Sequence, residues 1–570
     1  MDDHVSLHRG QSRRAAGIPG RGNLRPEDGV RRFRPGEDDG RRDAPRRHAL
    51  DRVEWIALVV LSGFAFIVLA ALLTKGRPLS GADGLLAADQ LQYFSWIREA
   101  SHHILIGNRF DLAPGDRTFL HPGFAISGGL HALGFSIPLS YLLWKPVAIG
   151  VTFYGALRYV RHLIPTRGAR HAALILALFA VTPASWLVAW SDWGGNARQF
   201  TFDFISGEMW SGQYLWGYLM TAIAVFLMPL VLLAHERGRT SWAAAGALLV
   251  CWLQPWQGAT LALIILGVAT WRRLRKAPSP LSRRDVIVLG ATTPPALYYL
   301  LLGRFDPAWE LASKSNAAGA MPEWSWPWWA VALTLAPLAV PAALAYRLPA
   351  PSWQEQAVRA WPFAALLVYL LPFGTFPYHS FQGLALPLSI LAVQGLLTVW
   401  RHPRPLAVAG LVFLMTVSGI AHKLEVSLHS VRSAGDPFWI FDDEVRALRA
   451  IERDPRPGGV LGSVYAGYML PYTTGRETWI GALSWTPDWR GRQRQADGLI
   501  VDGTVRGQAA RDFVTSTRAR FVFVDCRPGL RDLAADLAPI LEATRRFGCA
   551  SVYVVKDRPE MAKAAGRPDE

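Results

Sequence analysis

The stretch LLAADQLQYFSWIREASHH, residues 85–103, mixes proton-transferring side chains with aromatic ones. Its apolar period is helical, and at 100° per residue Gln92, Ser95 and Glu99 share one face. Asp89 does not join them; it falls among Tyr93, Trp96 and Ala100 on the aromatic side. A carboxylate on the less polar face costs free energy unless something uses it. Two uses stay open: Asp89 or the earlier Asp83 caps the helix, or Asp89 takes a proton from a bound hydroxyl.

More carboxylates lie in two later segments. WSDWGGNARQFTFDFISGEMWSGQYLWGY (190–218) carries Asp192, Arg198, Asp203 and Glu208 among Trp190, Trp193, Trp210 and Trp216. GRFDPAWELASKSNAAGAMPEWSWPWW (303–329) adds Asp306, Glu310 and Lys314. Acids interleaved with aromatics suit a sugar site, because carboxylates bind or deprotonate hydroxyls and indole faces stack on C–H surfaces. Tryptophan and tyrosine also enrich at any membrane interface, and most of these tryptophans fit that belt. The carboxylates are therefore the more informative set. The sequence has no Walker A loop, no G-x-G-x-x-G after a strand, no HExxH, no paired CxxC and no G-x-S-x-G.

The scaffold that must position these groups reads as a membrane bundle. Of 570 residues, 51% are hydrophobic and 24 are Trp. Residues 54–74 carry no charge between Glu54 and Lys75, long enough to cross a bilayer core. That run follows a long hydrophilic segment and precedes no small-residue cleavage site, so it is not a cleavable signal. The net charge of +16 comes largely from arginines clustered in short segments between apolar runs. Such clusters mark the cytoplasmic side of a membrane and argue against a nucleic-acid partner.

The fold class expected is mainly α: a polytopic membrane helix bundle with a small extracytoplasmic C-terminal α/β domain. Hydropathy places about eleven spans, at 54–74, 138–160, 171–190, 214–234, 241–254, 258–271, 285–302, 327–346, 359–377, 381–399 and 405–422. With residues 1–50 as a disordered basic cytoplasmic tail, every arginine cluster falls inside. The first outer loop is then 75–137, the membrane domain 51–424 and the outer α/β domain 425–560. PGFAISGGLHALG (122–134) is too short to span and reads as interfacial or re-entrant. The break at Gln254-Pro255-Trp256-Gln257-Gly258 splits a long apolar run into two short helices around a hairpin bordering a cavity. In the outer domain, GVLGSVYAGYML, ARFVFVDC and ASVYVV read as strands, and PGLRDLAADLAPILEATRRF as a helix between the last two. Cys526 and Cys549 are placed to pair in an oxidising compartment, and both paired and unpaired states stay open. His422 and Lys423 end the last span with no functional reading.

The string Asp89-Gln90, Tyr93, Arg98-Glu99, then Phe119-Leu120-His121-Pro122-Gly123, resembles the first outer loop of GT-C glycosyltransferases that use polyprenyl-phosphate sugars. The protein mannosyltransferase and lipid A aminoarabinose transferase groups have an Asp-Glu pair, a Tyr, "Ala-Arg-Glu" and an aromatic before "Lys-Pro-Pro". Their "Thr-Lys-Gly-Pro" break is similar in position to LQPWQG here. Gln90 stands in place of the second acid, His121 in place of the lysine, and Gln254 or Gln257 where a phosphate-binding lysine is expected.

The resemblance implies transfer of a sugar from a polyprenyl-phosphate donor to an extracytoplasmic glycan, lipid or protein acceptor, with inversion, in a multi-pass plasma membrane enzyme. Asp89 is then the general base, beside Tyr93 and Glu99. Arg198, Lys314, His121 and His379 are candidates for the donor phosphate. Asp192, Asp203 and Glu208 are candidates to orient the sugar or to hold a divalent metal ion, the one cofactor left open. The loop YMLPYTTGRETWIGALSWTPD (468–488) either admits the acceptor or is structural. The competing readings are a lipid-linked substrate transporter or flippase and a non-catalytic envelope-assembly protein. Neither an internal repeat nor charges running through the bilayer, which a transporter would need, is evident.

Overall fold

The computed structural model describes residues 49–557, apart from 114, 192–194, 277–280, 317–327, 372–376, 401–403, 434–436 and 528, and apart from the side chains of 195–201 and 377. The tail expected to be disordered lies outside this range save for its last two residues, and so do the side chains of Asp192 and Arg198. From Arg52 onward the chain forms one compact unit.

The order begins with α1 (Arg52–Leu73), α2 (Ala87–Ala100), α3 (Pro122–Ala132), α4 (Ile137–Leu142), α5 (Trp144–Leu163), α6 (Arg167–Phe179) and α7 (Pro183–Ser191). It continues through α8 (Gly195–Met209), α9 (Ser211–Leu215), α10 (Leu219–Glu236), α11 (Thr240–Leu253), α12 (Pro255–Leu274), α13 (Arg283–Phe305) and α14 (Pro307–Asn316). Then come α15 (Trp328–Ala345), α16 (Trp353–Leu370), a 3-10 turn (Pro377–Phe381), α17 (Ala385–Val399) and α18 (Pro405–Arg432). Every apolar segment predicted to span overlaps a helix in this series. Among the described residues, five helices (α1, α10, α13, α15 and α18) are long and apolar enough to cross a membrane, and the α6–α7 pair, bent by 54°, adds a sixth if counted as one span.

Local chemistry sets the helix ends. Ser282 with Asp285 and Ser352 with Glu355 form reciprocal capping boxes that start α13 and α16. At Gln254 the chain turns so tightly that a Cβ on Gly258 would meet Cys251 at 2.4 Å, which only glycine avoids. The expected break is present between α11 and α12, but only α11 is short, at 14 residues; α12 continues for 20 residues to Leu274. The centre of the bundle is α10, with 78% of its most apolar stretch buried against 22–33% for the other four spanning helices.

The last helix differs from expectation. Instead of stopping near residue 422, α18 runs to Arg432 and buries His422, Lys423, Ser427 and Val431. Beyond it lie α19 (Asp442–Glu452), β1 (Val460–Leu461), α20 (Val464–Thr474), α21 (Trp489–Ile500), α22 (Gly507–Thr517), β2 (Phe521–Val524), α23 (Ala534–Leu537), β3 (Leu541–Phe547) and β4 (Ala550–Val555). The strands form one mixed sheet in the order β1-β2-β4-β3, with β1 parallel to β2 and the other pairs antiparallel.

Two assignments in this region are corrected. Most of GVLGSVYAGYML is helix, because the Ser463 hydroxyl accepts from Ala466 N and caps α20; a short apolar run does not tell strand from helix by itself. The predicted helix before β4 survives as one turn, α23, and a short 3-10 turn containing Pro539; LEATRRF then alternates strictly in burial as a strand. Cys526 and Cys549 form a disulfide with Cα atoms 5.0 Å apart, tying the end of β2 to the start of β4.

Helix α2 joins the bundle to the C-terminal region. Arg98 donates to the carbonyls of Tyr472 (2.8 Å) and Thr473 (3.1 Å) at the end of α20, where the helix dipole favours a cation, and to Glu452.

Candidate active-site cavity

The sequence period of α2 decides what faces inward. Ala88, Asp89, Gln92, Tyr93 and Trp96 line a cavity of about 1210 Å³ between the helices and the C-terminal region. Asp89 caps nothing: the N-cap position of α2 is Leu86, with no side-chain cap. Asp83 is not the cap either. Its carboxylate pairs with the fully buried Lys145 and accepts from Gln90 Nε2 at 2.9 Å. Gln90, in the position where the resembled family carries its second acid, also accepts from Asp83 N and Gly84 N (2.9 and 2.8 Å). It braces the loop entering α2 and stays off the cavity wall.

Asp89 is half-buried, and Tyr218 donates its hydroxyl to Asp89 Oδ2 at 2.6 Å. Burial pushes the Asp89 carboxyl above its ordinary value, the Tyr218 hydrogen bond and His379 pull it down, and Glu208 pushes it further up. Glu208, from α8, accepts from Gln382 Nε2 (3.0 Å) and faces His379 Nδ1 (3.1 Å). Gln382 in turn accepts from Gln254 Nε2 at 2.9 Å. Glu208, His379, Gln382 and Gln254 thus form one polar network on the wall shared with Asp89 and Tyr93.

A second polar group was missed from sequence. His422 and Lys423 are buried and hold Asp203: His422 Nε2 lies 2.8 Å from its Oδ1, and Lys423 Nζ donates at 2.8 Å to Oδ1 and to the backbone carbonyl. Burial opposes ionisation of Asp203, but Lys423 and His422 keep its carboxyl below the usual range. The view that His422 and Lys423 merely end a span is therefore corrected. Lys423 and Asp203 both line the cavity.

Other candidates are placed elsewhere or change role. Glu99 is buried off the cavity wall, accepting from Arg109 (2.7 Å) and Arg117 (2.6 Å) of the following loop. Lys314 is 74% exposed and pairs with Glu310 one turn earlier. The face of α14 turned inward is Trp309, Ala312, Ser313 and Asn316, which leaves 310 and 314 outside. Gln257 is buried behind the wall and donates to the His379 carbonyl at 3.1 Å. His121 lines the cavity, but burial pushes its pKa down to about 4, against a 3.4 Å contact to the Leu253 carbonyl. It is neutral at pH 7 and offers no charge to a phosphate. Asp192 and Arg198 lie outside the described residues.

The remaining walls are aromatic or apolar. Trp96, Trp309 and Trp485 pack edge-on, with centroids 5.3 Å apart for Trp96–Trp485 and 5.2 Å for Trp309–Trp485. Ser484 and Trp485 lie in the loop part of the segment read as a loop over 468–488, whereas its first residues, Tyr468 to Thr474, are the last turns of α20; Tyr468, Ser484 and Trp485 all line the cavity. On α13 the wall is formed by Tyr299, Leu300, Gly303 and Arg304, and the neighbouring Leu297 and Leu301 are exposed. Among the described residues, no three acids or histidines of the cavity wall lie close enough together to share an ion. Among the described residues the only group of three His, Cys, Asp or Glu side chains close enough to share an ion is Asp443 with the disulfide-bonded Cys526 and Cys549. Asp203 and Glu208 are each engaged by other side chains. Tyr218, Gln382, Lys423 and Arg304 were not anticipated as site residues; Gln382 lies three residues after the candidate His379.

No protein-family model matches the sequence, and no curated protein does. Solved structures do match. The archaeal oligosaccharyltransferase AglB from Archaeoglobus fulgidus, in complex with an inhibitory peptide and a dolichol-phosphate, is 12% identical, with 83% of this chain and 69% of that one covered and a TM-score of 0.40. ArnT from Cupriavidus metallidurans, bound to undecaprenyl phosphate, is 12% identical, with 89% of this chain and 99% of that one covered and a TM-score of 0.43. Both are glycosyltransferases of the GT-C kind that the first-loop motifs resemble; with TM-scores below 0.5, the overlays leave the chemistry to be read from the chain's own residues.

Proposed function

We propose that the chain is an integral membrane glycosyltransferase that moves a sugar from a polyprenyl-phosphate donor to an extracytoplasmic glycan, lipid or protein acceptor, with inversion. The observation that carries this reading is Asp89. It is the carboxylate on the aromatic face of α2, caps no helix, and lines a large cavity with one oxygen held by Tyr218. A carboxyl raised by burial is a stronger base than an exposed one, which suits removal of a hydroxyl proton.

In the proposed step the acceptor O–H gives its proton to Asp89 as its oxygen bonds to the anomeric carbon. The bond from that carbon to the phosphate oxygen breaks on the opposite side, and the lipid phosphate leaves with the electron pair. Arg304 at the α13 side is the cation best placed for that charge, and the exposed leucines around it suit a prenyl chain lying against lipid. Lys423 contributes less, since Asp203 already neutralises it. The Glu208–Gln382–His379 network offers acceptors and donors to sugar hydroxyls, and Tyr468, Ser484 and Trp485 form the side from which an acceptor enters.

The proposal keeps the spans near eleven, the N-terminus cytoplasmic and the C-terminal region outside. The disulfide is consistent with an oxidising compartment there. The test supplies membranes containing the chain with polyprenyl-phosphate sugars and compares wild type with Asp89→Asn. Loss of transfer by about a hundredfold or more is expected for a general base. Equal transfer by the two proteins would sink the assignment.

A further inference from the structure

Tyr218 is held on the same backbone frame as Asp89. It occupies the N-cap position of α10, directly after Gly217, whose φ of +102° is open to glycine and strained for other residues. That turn is fixed on every side. Tyr141 donates its hydroxyl to the Gly217 carbonyl at 2.7 Å, and Tyr218 N donates to the Tyr214 carbonyl at 2.9 Å. Leu85 N donates to the Trp216 carbonyl at 2.9 Å, so the strand of chain entering α2 is bonded directly to the turn carrying Tyr218.

The two segments also approach without side chains between them. A Cβ on Gly84 would lie 2.5 Å from the Trp216 carbonyl, and one on Gly217 would lie 3.0 Å from Gly84 Cα. Gln90 Oε1 sits at the same junction, accepting from Gly84 N at 2.8 Å. Donor and acceptor thus sit on two backbone pieces locked to each other, where a hydrogen bond keeps one geometry without reorganising.

We propose that Tyr218 is a positioning residue for Asp89: its hydroxyl fixes the carboxylate rotamer through Oδ2 and leaves Oδ1 as the one oxygen open to the acceptor proton. This rests on the reading of Asp89 as the base. The bond length of 2.6 Å is that of an O–H···O⁻ contact, and among the described residues no hydrogen bond reaches Oδ1. The groups that bear on Asp89 are Tyr218, His379 of the 3-10 turn, Glu208 of α8 and, on its own helix, Tyr93. Of these only Tyr218 bonds to the carboxylate, so it opposes the effect of burial directly and keeps the base ionised to lower pH.

The experiment uses the full-length protein in lipid nanodiscs, titrated by infrared spectroscopy, where the carboxyl band lost in Asp89→Asn identifies the residue. Tyr218→Phe is expected to raise the protonation midpoint of that band by roughly one pH unit, the effect of one hydrogen bond to a carboxylate. A 3-fluorotyrosine placed at position 218, a stronger donor of nearly the same size, is expected to lower it, which keeps the test open if the Phe variant folds poorly. With an undecaprenyl-phosphate-linked hexose as probe donor, Tyr218→Phe should reduce kcat about tenfold with KM little changed, and its acid limb should move up with the band. Midpoints that stay put in both variants overturn the pairing whether or not transfer is seen. A raised KM at unchanged kcat overturns it too, placing Tyr218 on the substrate. Shifted midpoints without any wild-type transfer would remove the transferase and leave Tyr218 as the partner of an Asp89 with another task.

Discussion

Replacing Lys145 by Met tests how the chain entering α2, the helix that bears Asp89, is anchored. Lys145 is fully buried on α5, pairs with Asp83, and donates to the Ala65 carbonyl of α1 at 2.9 Å. Asp83 is almost equally buried, with 3% of its side chain exposed. Lys145→Met therefore strands a carboxylate that keeps only the Gln90 amide, and breaking a buried pair from one side costs about 3–5 kcal/mol. Lys145→Met combined with Asp83→Asn removes both charges, and the double variant should return to within about 1 kcal/mol of wild type. The assay is the midpoint of SDS-induced unfolding in mixed micelles, followed by tryptophan fluorescence, for all four members of the cycle. Because Asp83 and Gln90 together shape the loop entering α2, the single variant should also lose transfer activity. A single variant within about 1 kcal/mol of wild type, or a double variant no better than the single, would refute the idea that this pair is a desolvated anchor.

With Asp89 as the proposed base, which works ionised and whose carboxyl is raised by burial, transfer is expected to fall as pH drops through a midpoint above the ordinary Asp value of about 3.9, read from kcat/KM against pH. Cys526→Ala with Cys549→Ala should destabilise the chain by about 3 kcal/mol, seen as a lower thermal midpoint in nonreducing buffer. Lys314→Ala should leave transfer within about twofold of wild type, since the side chain points away from the cavity and its pair with Glu310 is exposed.

Much of the helical scaffold is legible in the sequence because apolar period and length are local properties. Asp89, Tyr93 and Trp96 fall on one face by the helical period alone, and that face lines the cavity. What escaped depends on partners far along the chain. Lys145 interrupts an apolar run, and nothing nearby announces that Asp83 neutralises it. Lys423 ends one, and its partner Asp203 lies 220 residues earlier. Lys314 failed for the opposite reason: its neighbourhood in sequence is acidic and aromatic, but the turn of α14 sends it outward. The strand reading of 464–470 failed because a short apolar run carries no decisive period, and the Ser463 cap settles it as helix. Tyr218 has no signal of its own in the sequence, since its partner Asp89 lies 129 residues earlier.

Helix α2 has consequences for how such a chain can diversify. Its inner face carries the proposed base, while Arg98 on its outer side plugs the end of α20, and Arg109 links Glu99 to Glu477 beyond it. The region after residue 437 is therefore not an appendage that can be exchanged freely. A chimera taking that region from another protein would need matching partners for Arg98 and Arg109, or the helix bearing Asp89 would lose its outer footing. In the proposed reading, the acceptor side and the base are tied through the same fourteen-residue helix, so a change in one is felt by the other.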